Sequence, residues 1–242
     1  MAIPLKSYTE EDKETWRLIL SRHAESRDLQ VCDLFLDGVE KLGLTANEIP
    51  DLAAVNRVLA ARSGFRGVFV EGLEEGKNFF TMLSQRIFPV GNFIRSRHDL
   101  SYTPAPDIVH DIYGHLPFYT DKAYGDFCQA FGLAALEFID QPELLRQFER
   151  FFWFTVEFGL MKTAEGIRVF GAGIASSTSE CEYALSGKPE IKPFEIDAIR
   201  FQEFRIDEMQ KLIFLLESPE QLYSSLDELH RRVMRDVRRG DL

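Results

Sequence analysis

The sequence predicts an α+β fold, a mainly helical single domain over residues 1–242 with a small minor sheet. Three observations lead there. Apolar residues recur at helical spacing through much of the chain, as in Val31, Phe35, Val39 and Leu42, whereas β-like runs such as Gly67-Val68-Phe69-Val70 are short and few. A chain of 242 residues can bury about 70–75% of its unfolded surface in one core, so no second domain is needed. No internal repeat or low-complexity tract breaks it into smaller units.

Thr9-Glu10-Glu11-Asp12 has the form of a capping box, with Asp12 where Glu is usual, and opens a helix through Trp16, Ile19 and Leu20. A second helix spans residues 31–42 and stops at Gly43. Residues 51–62 read as a third helix and 67–70 as a short strand ending at Gly72. Residues 76–87 return to helix until Pro89 and Gly91 break it. The polar, proline-punctuated stretch 92–106 reads as a loop or short strand. Further helices are expected over 122–139, 142–162 and 207–216, with strands at 167–171 and, more weakly, 182–185. A terminal helix runs from about residue 219 to 238, where His230, Arg231, Arg232 and Arg235 complement its dipole.

Composition excludes several classes. A net charge of −11 disfavours a nucleic-acid partner. No run of about 18 apolar residues exists to cross a membrane, and the acidic start MAIPLKSYTEEDKETW is unlike a signal peptide. Three cysteines, Cys32, Cys128 and Cys181, form no CxxC pair and fit reduced thiols in the cytoplasm. The 21 phenylalanines mostly serve a thick core.

The chemistry centres on PDIVHDIYGH, residues 106–115, which sets His110 and His115 five residues apart. On an ideal α-helix that step separates them by about 140°, whereas HExxH uses a four-residue step to put both imidazoles on one face. A shared metal therefore requires the backbone to leave the ideal helix near His115. Gly114 permits this, and Pro117 restrains Leu116 from continuing the helix. Two buried polar side chains without a metal are the alternative. The best third ligand is Glu157, the only charge in FFWFTVEFGL, since two His and one carboxylate leave three positions open for oxygen and substrate. A buried lone carboxylate is costly unless it is paired or metal-bound, and an ion pair with a nearby arginine such as Arg150 or Arg168 is the less favoured alternative.

PDIVHDIYGH, WFTVEFGL, VFGAGIASS and the upstream Asn92-Phe93-Ile94-Arg95 together resemble the pterin-dependent aromatic amino acid hydroxylases, closest in style to the bacterial phenylalanine hydroxylases. The resemblance runs from about Tyr8 to Leu229, with the motifs in the family's order. It implies an aromatic amino acid hydroxylase-like fold and Fe(II) held by His110, His115 and Glu157. Tetrahydrobiopterin or a related tetrahydropterin is the implied cofactor. By the same resemblance Arg95 pairs with the amino acid carboxylate, a task suited to a guanidinium fork. Thr103 and Ser176 add hydrogen bonds to the head group, Gly173 allows close backbone approach, and Pro106, Trp153 and Phe158 wall the aromatic ring. Phe79 matches the residue under the pterin ring, the loop from Gly72 and Leu73 to Asn78 matches the pterin loop, and Asp111 and Phe152 lie where the family contacts the pterin. Phe152 replaces a frequent Tyr, and Pro89 replaces a pterin-contacting His of the animal enzymes.

The resemblance implies ring hydroxylation of a free aromatic amino acid with dioxygen, with phenylalanine to tyrosine favoured. Trp153 points that way, since tryptophan hydroxylases carry Phe there. Ile206, where tyrosine hydroxylases have Asp, offers a tyrosine hydroxyl no partner. Segments 168–177 and 184–187 look somewhat like tryptophan hydroxylases, so tryptophan 5-hydroxylation or broad specificity is the alternative. Glu180 is a candidate to support the ligands from behind. A catalytic domain without regulatory or tetramerisation segments, acting as a monomer, follows from the length. A zinc hydrolase with the same ligands lacks an evident general base, and a silent amino-acid or pterin sensor has no need of an intact ligand set.

Overall fold

The computed structural model describes residues 7–72, 74–98, 100 and 105–239. The amino-terminal half is a layer of helices, α1 (Glu10–Ala24), α2 (Arg27–Gln30), α3 (Asp33–Leu42) and α4 (Leu52–Arg62), followed by β1 (Arg66–Val70), α5 (Gly76–Ser84) and β2 (Ile87–Gly91). The capping box forms as predicted: Asp12 N–H donates to Thr9 Oγ1 at 3.2 Å and Thr9 N–H to Asp12 Oδ2 at 2.8 Å. Gly43 ends α3 in the left-handed conformation that a glycine adopts at least cost. Ile87 belongs to β2 rather than to the preceding helix. Among the described residues β2 pairs only with β1, in parallel, so Pro89 sits on an edge strand where its missing N–H is tolerated.

Beyond the helical segment Val109–His115 come α6 (Lys122–Leu136), α7 (Pro142–Phe152), β3 (Leu160–Thr163), β4 (Gly166–Val169), α8 (Ala172–Ala175) and α9 (Thr178–Leu185). Then follow β5 (Glu190–Pro193), α10 (Ile196–Arg200), β6 (Leu212–Leu216) and α11 (Pro219–Arg239). The second sheet has the order β4-β3-β6-β5, antiparallel at β3–β4 and parallel elsewhere. Three expectations fail here. Residues 212–216 are a buried strand and not a helix, because a five-residue apolar run fits either and its place beside β3 and β5 decides. Residues 182–185 lie in α9, whose amino end is capped when Glu180 N–H donates to Ser177 Oγ. The helix expected over 142–162 ends early, and Leu160 already begins β3.

Most phenylalanines fill the core, as the composition suggests. α5, α6 and α7 meet around Phe131, whose ring centroid lies 5.5–6.0 Å from those of Phe80, Phe148, Phe151 and Phe152. This aromatic layer packs against α7, which continues into the segment Trp153–Glu157. All three cysteines are buried and unbridged. Among the described residues no helix is long and apolar enough to cross a membrane.

Candidate active site

The five-residue step between the histidines is accommodated by a π-helix. Val109–His115 is π-helical, and Leu116 N–H donates to Asp111 C=O at 3.1 Å, an i to i−5 bond. Such a turn aligns residues five apart, as an α-helix aligns those four apart. The departure from an ideal helix expected near Gly114 and His115 is thus present, and it spans the whole segment. Gly114 is required for a different reason: a Cβ there would lie 2.8 Å from Ala172 O and 2.8 Å from Ser176 Cβ, so α8 packs directly on the site helix only because the side chain is absent. Pro117 does not extend the preceding residue either. Leu116 stays helical at φ −61°, ψ −28°, and a 3₁₀ turn follows at Phe118–Thr120.

Glu157 ends a second π-helical segment, Trp153–Glu157, in which Phe158 N–H donates to Trp153 C=O at 2.8 Å. The two segments bring the ligands together. His110 Nε2 lies 3.2 Å from His115 Nε2, and Glu157 oxygens lie 3.0 Å from His115 Nε2 and 3.6 Å from His110 Nε2. Ligand atoms of all three fall within 4.8 Å of one another. The alternative of an arginine partner for Glu157 fails, because Arg150 pairs with Glu203 and Arg168 is turned to its own strand, donating to Ile167 C=O.

The donor chemistry fits a cation. Ser176 Oγ donates to Gly173 C=O at 3.0 Å, which leaves its lone pair facing His110 Nδ1 at 3.4 Å. This arrangement suits the tautomer with the His110 proton on Nδ1, which turns a bare Nε2 toward Glu157. Burial pushes the His110 pKa down to about 4 despite the opposing pull of Glu157, so the imidazole is neutral and ready to ligate at neutral pH. Burial raises the Glu157 carboxyl, but His115 and His110 outweigh it and hold it below its ordinary value. Three acceptor groups thus converge with at most one proton to share. His115 Nδ1 is buried without a hydrogen-bond partner among the described residues, and its ring stacks on Phe88 at 4.5 Å.

The remaining predicted residues fall around this centre. Arg95 is buried, but its Nε and Nη2 grip Asp107 at 2.9 and 2.8 Å and its Nη1 approaches Leu100 C=O at 3.3 Å. Only the outer edge of the guanidinium stays available for another carboxylate. Asp107 also accepts the backbone N–H of Arg95 at 2.8 Å and of His110 at 3.0 Å. Burial raises its carboxyl, yet Arg95 overcomes this and keeps it ionised. Asp107 was not singled out in the sequence; the signal was an acidic residue entering an apolar helix three positions before a ligand.

Asp111 is buried and accepts Gly91 N–H at 2.7 Å, tying β2 to the site helix. Burial pushes its carboxyl well above the ordinary value. Phe79 and Phe152 meet edge to face at 5.1 Å, so two of the predicted pterin residues share one wall. Gly72 lies exposed at a turn with φ +77°, and Asn78 lies exposed in the first turn of α5. Trp153 and Phe158 are neighbours at 4.5 Å. Gly173 lies where a Cβ would be 3.0 Å from both Glu157 O and the Phe158 ring, and Pro106 is half-buried beside Asp107. Leu73 and Thr103 lie outside the described residues. Ser176 and not Glu180 reaches a ligand from behind, and burial raises the half-buried Glu180 carboxyl.

Residues 1–238 match the family of biopterin-dependent aromatic amino acid hydroxylases. The chain belongs to this family. It is 36% identical to the phenylalanine-4-hydroxylase of Chromobacterium violaceum over 223 residues, 92% of this chain and 75% of that protein. With the Pseudomonas aeruginosa phenylalanine-4-hydroxylase it shares 36% identity over 222 residues, 91% of this chain and 84% of that protein. The crystal structure of the C. violaceum hydroxylase with bound iron(III) and oxidised cofactor 7,8-dihydrobiopterin superposes with a TM-score of 0.88 at 34% identity, covering 97% of this chain and 86% of that one. The mainly helical α+β fold read from the sequence is thus the family's fold, and the zinc hydrolase reading has no further support.

Proposed function

We propose that the chain is a tetrahydropterin-dependent iron monooxygenase that hydroxylates the ring of a free aromatic amino acid, with phenylalanine converted to tyrosine. The observation that carries this is the convergence of His110, His115 and Glu157, three ligating groups on two π-helical segments. Iron, with a tetrahydropterin and dioxygen, supplies the oxidant that hydroxylates the ring. The protein supplies position and dryness. Ser176 holds the His110 proton on Nδ1 and keeps Nε2 free. Arg95, fixed by Asp107, offers its outer edge to the substrate carboxylate. Trp153 and Phe158 wall the ring, and the Phe79–Phe152 pair walls the pterin. No side-chain nucleophile is needed.

Phenylalanine is favoured by Trp153 and by the activity named for the relatives. The argument from Ile206 against tyrosine loses its footing: Ile206 is 60% exposed, so no desolvation penalty can be assigned there. The chain acts as one catalytic domain and as a monomer in the cytoplasm. An aerobic assay of the iron-loaded protein with a tetrahydropterin and phenylalanine, tryptophan or tyrosine in parallel tests the reading. Tyrosine formed from phenylalanine is expected, and no hydroxylated product from any of the three refutes it. Glu157→Ala is expected to lose bound iron; normal iron content would remove Glu157 from the ligand set.

A further inference from the structure

Between α10 and β6 the chain runs through residues 201–211 as an irregular strap. Its base is held to α7, where Arg150 pairs with Glu203 and donates to Arg200 C=O at 3.4 Å. Two strap side chains turn onto Trp153. The Phe204 ring stacks on the indole at 4.3 Å and 14°, and Gln210 Oε1 accepts the indole N–H at 3.1 Å. Gln210 is 7% exposed. Its amide nitrogen donates to Arg205 C=O at 2.8 Å and to Glu208 C=O at 3.1 Å. Two carbonyls on one side and an N–H on the other leave only one orientation of this amide that satisfies every group. One buried side chain therefore closes the strap on itself and locks the indole.

We propose that Gln210 is a specificity-determining positioning residue, which acts through the Trp153 N–H to fix the wall of the amino-acid pocket. Its side-chain hydrogen bonds among the described residues go to Trp153, Arg205 and Glu208, so it acts through the indole. This deepens the proposed function and rests on that reading of Trp153. The indole has two rotatable bonds, and stacking on Phe204 beside the tilted Phe158 ring carries little directional constraint, whereas an N–H bond to a buried acceptor fixes the indole's register. Apolar walls alone separate aromatic substrates weakly, so the register of one indole decides much of the selectivity.

The test compares wild type, Gln210→Leu, Gln210→Met, Trp153→Phe and the corresponding double variants. The readouts are iron content, binding of free phenylalanine and tryptophan by calorimetry, and the ratio of kcat/KM for the two amino acids. Gln210→Leu is expected to retain iron, raise the KM for phenylalanine and lower the phenylalanine preference by about 10-fold, within the range that apolar pocket changes produce. In the Trp153→Phe background the same replacement is expected to add nothing, because the N–H it acts through is gone. Gln210→Met keeps the side-chain length, so the test survives if the leucine variant does not fold. A preference within twofold of wild type in either foldable variant, or an equal drop in the Trp153→Phe background, overturns the inference. Wild type that hydroxylates nothing would instead strike the proposed function.

Discussion

Replacing Asp107 with alanine exposes how the amino-acid side of the site is held. The carboxylate is fully buried and takes four N–H donors, two from the Arg95 guanidinium and the backbone N–H groups of Arg95 and His110. It therefore fastens the loop carrying Arg95 to the first turn of the ligand helix. Asp107→Ala leaves the Arg95 charge buried without compensation, a loss of about 3–5 kcal/mol. Near this chain length each kcal/mol lowers Tm by about 2–4 °C, so a fall of about 6–20 °C is expected. Thermal unfolding of the metal-free protein followed by circular dichroism reads it without interference from iron binding. A companion variant, Arg95→Met with Asp107→Leu, removes both charges and is expected to be more stable than Asp107→Ala alone, since an apolar pair leaves no orphan. Both variants should lose phenylalanine affinity. An Asp107→Ala protein with a Tm within about 2 °C of wild type would refute the buried pair as the anchor of this loop.

Gly114→Ala is expected to destabilise by about 1–3 kcal/mol in denaturant unfolding, and to weaken iron retention, because the new methyl meets Ala172 O and Ser176 Cβ at 2.8 Å. Unchanged stability would show that α8 can yield. His23 is buried with Nε2 donating to Ser176 C=O at 3.2 Å, and burial pushes its pKa down to about 4. The unfolded imidazole takes its proton near pH 6.5, so this contribution to stability is full above that and falls as pH drops toward 4, by up to about 3 kcal/mol. His23→Leu should flatten the stability–pH curve in that window. Parallel curves for the two proteins would refute it.

The identities of the three ligands were legible because each is a metal-ligating type set in an apolar run, and Glu157 had no nearby charge in its own segment to explain it. Their joint geometry was legible only as a required departure from the ideal helix, not as a π-helix. It depends on Gly114 pressing against Ala172, a contact between segments far apart in the chain. The same holds for Asp107, whose partner Arg95 lies 12 residues away, and for Gln210, whose partner Trp153 lies 57 away. Polar residues of this kind look like surface residues until packing buries them. The Leu212–Leu216 strand was misread for a related reason: its apolar run fits two conformations, and only neighbouring strands choose between them.

Both ligand-bearing segments leave the α-helix in the same way. A π-helical turn is rare and seldom stable alone, so its presence twice around one centre requires outside support. The support is visible on each side. Asp111 grips β2 through Gly91 N–H, and α8 lies flush against Gly114; on the other segment, Trp153 is held by Phe204 and Gln210. If Val109–His115 relaxed to an ideal α-helix, side chains five apart would diverge by about 140°, and His110 and His115 would no longer share an ion. The scaffold thus spends packing on a backbone form that presents imidazoles at a step of five. The motif's spacing, which looks wrong for a helix, is the right one for this helix.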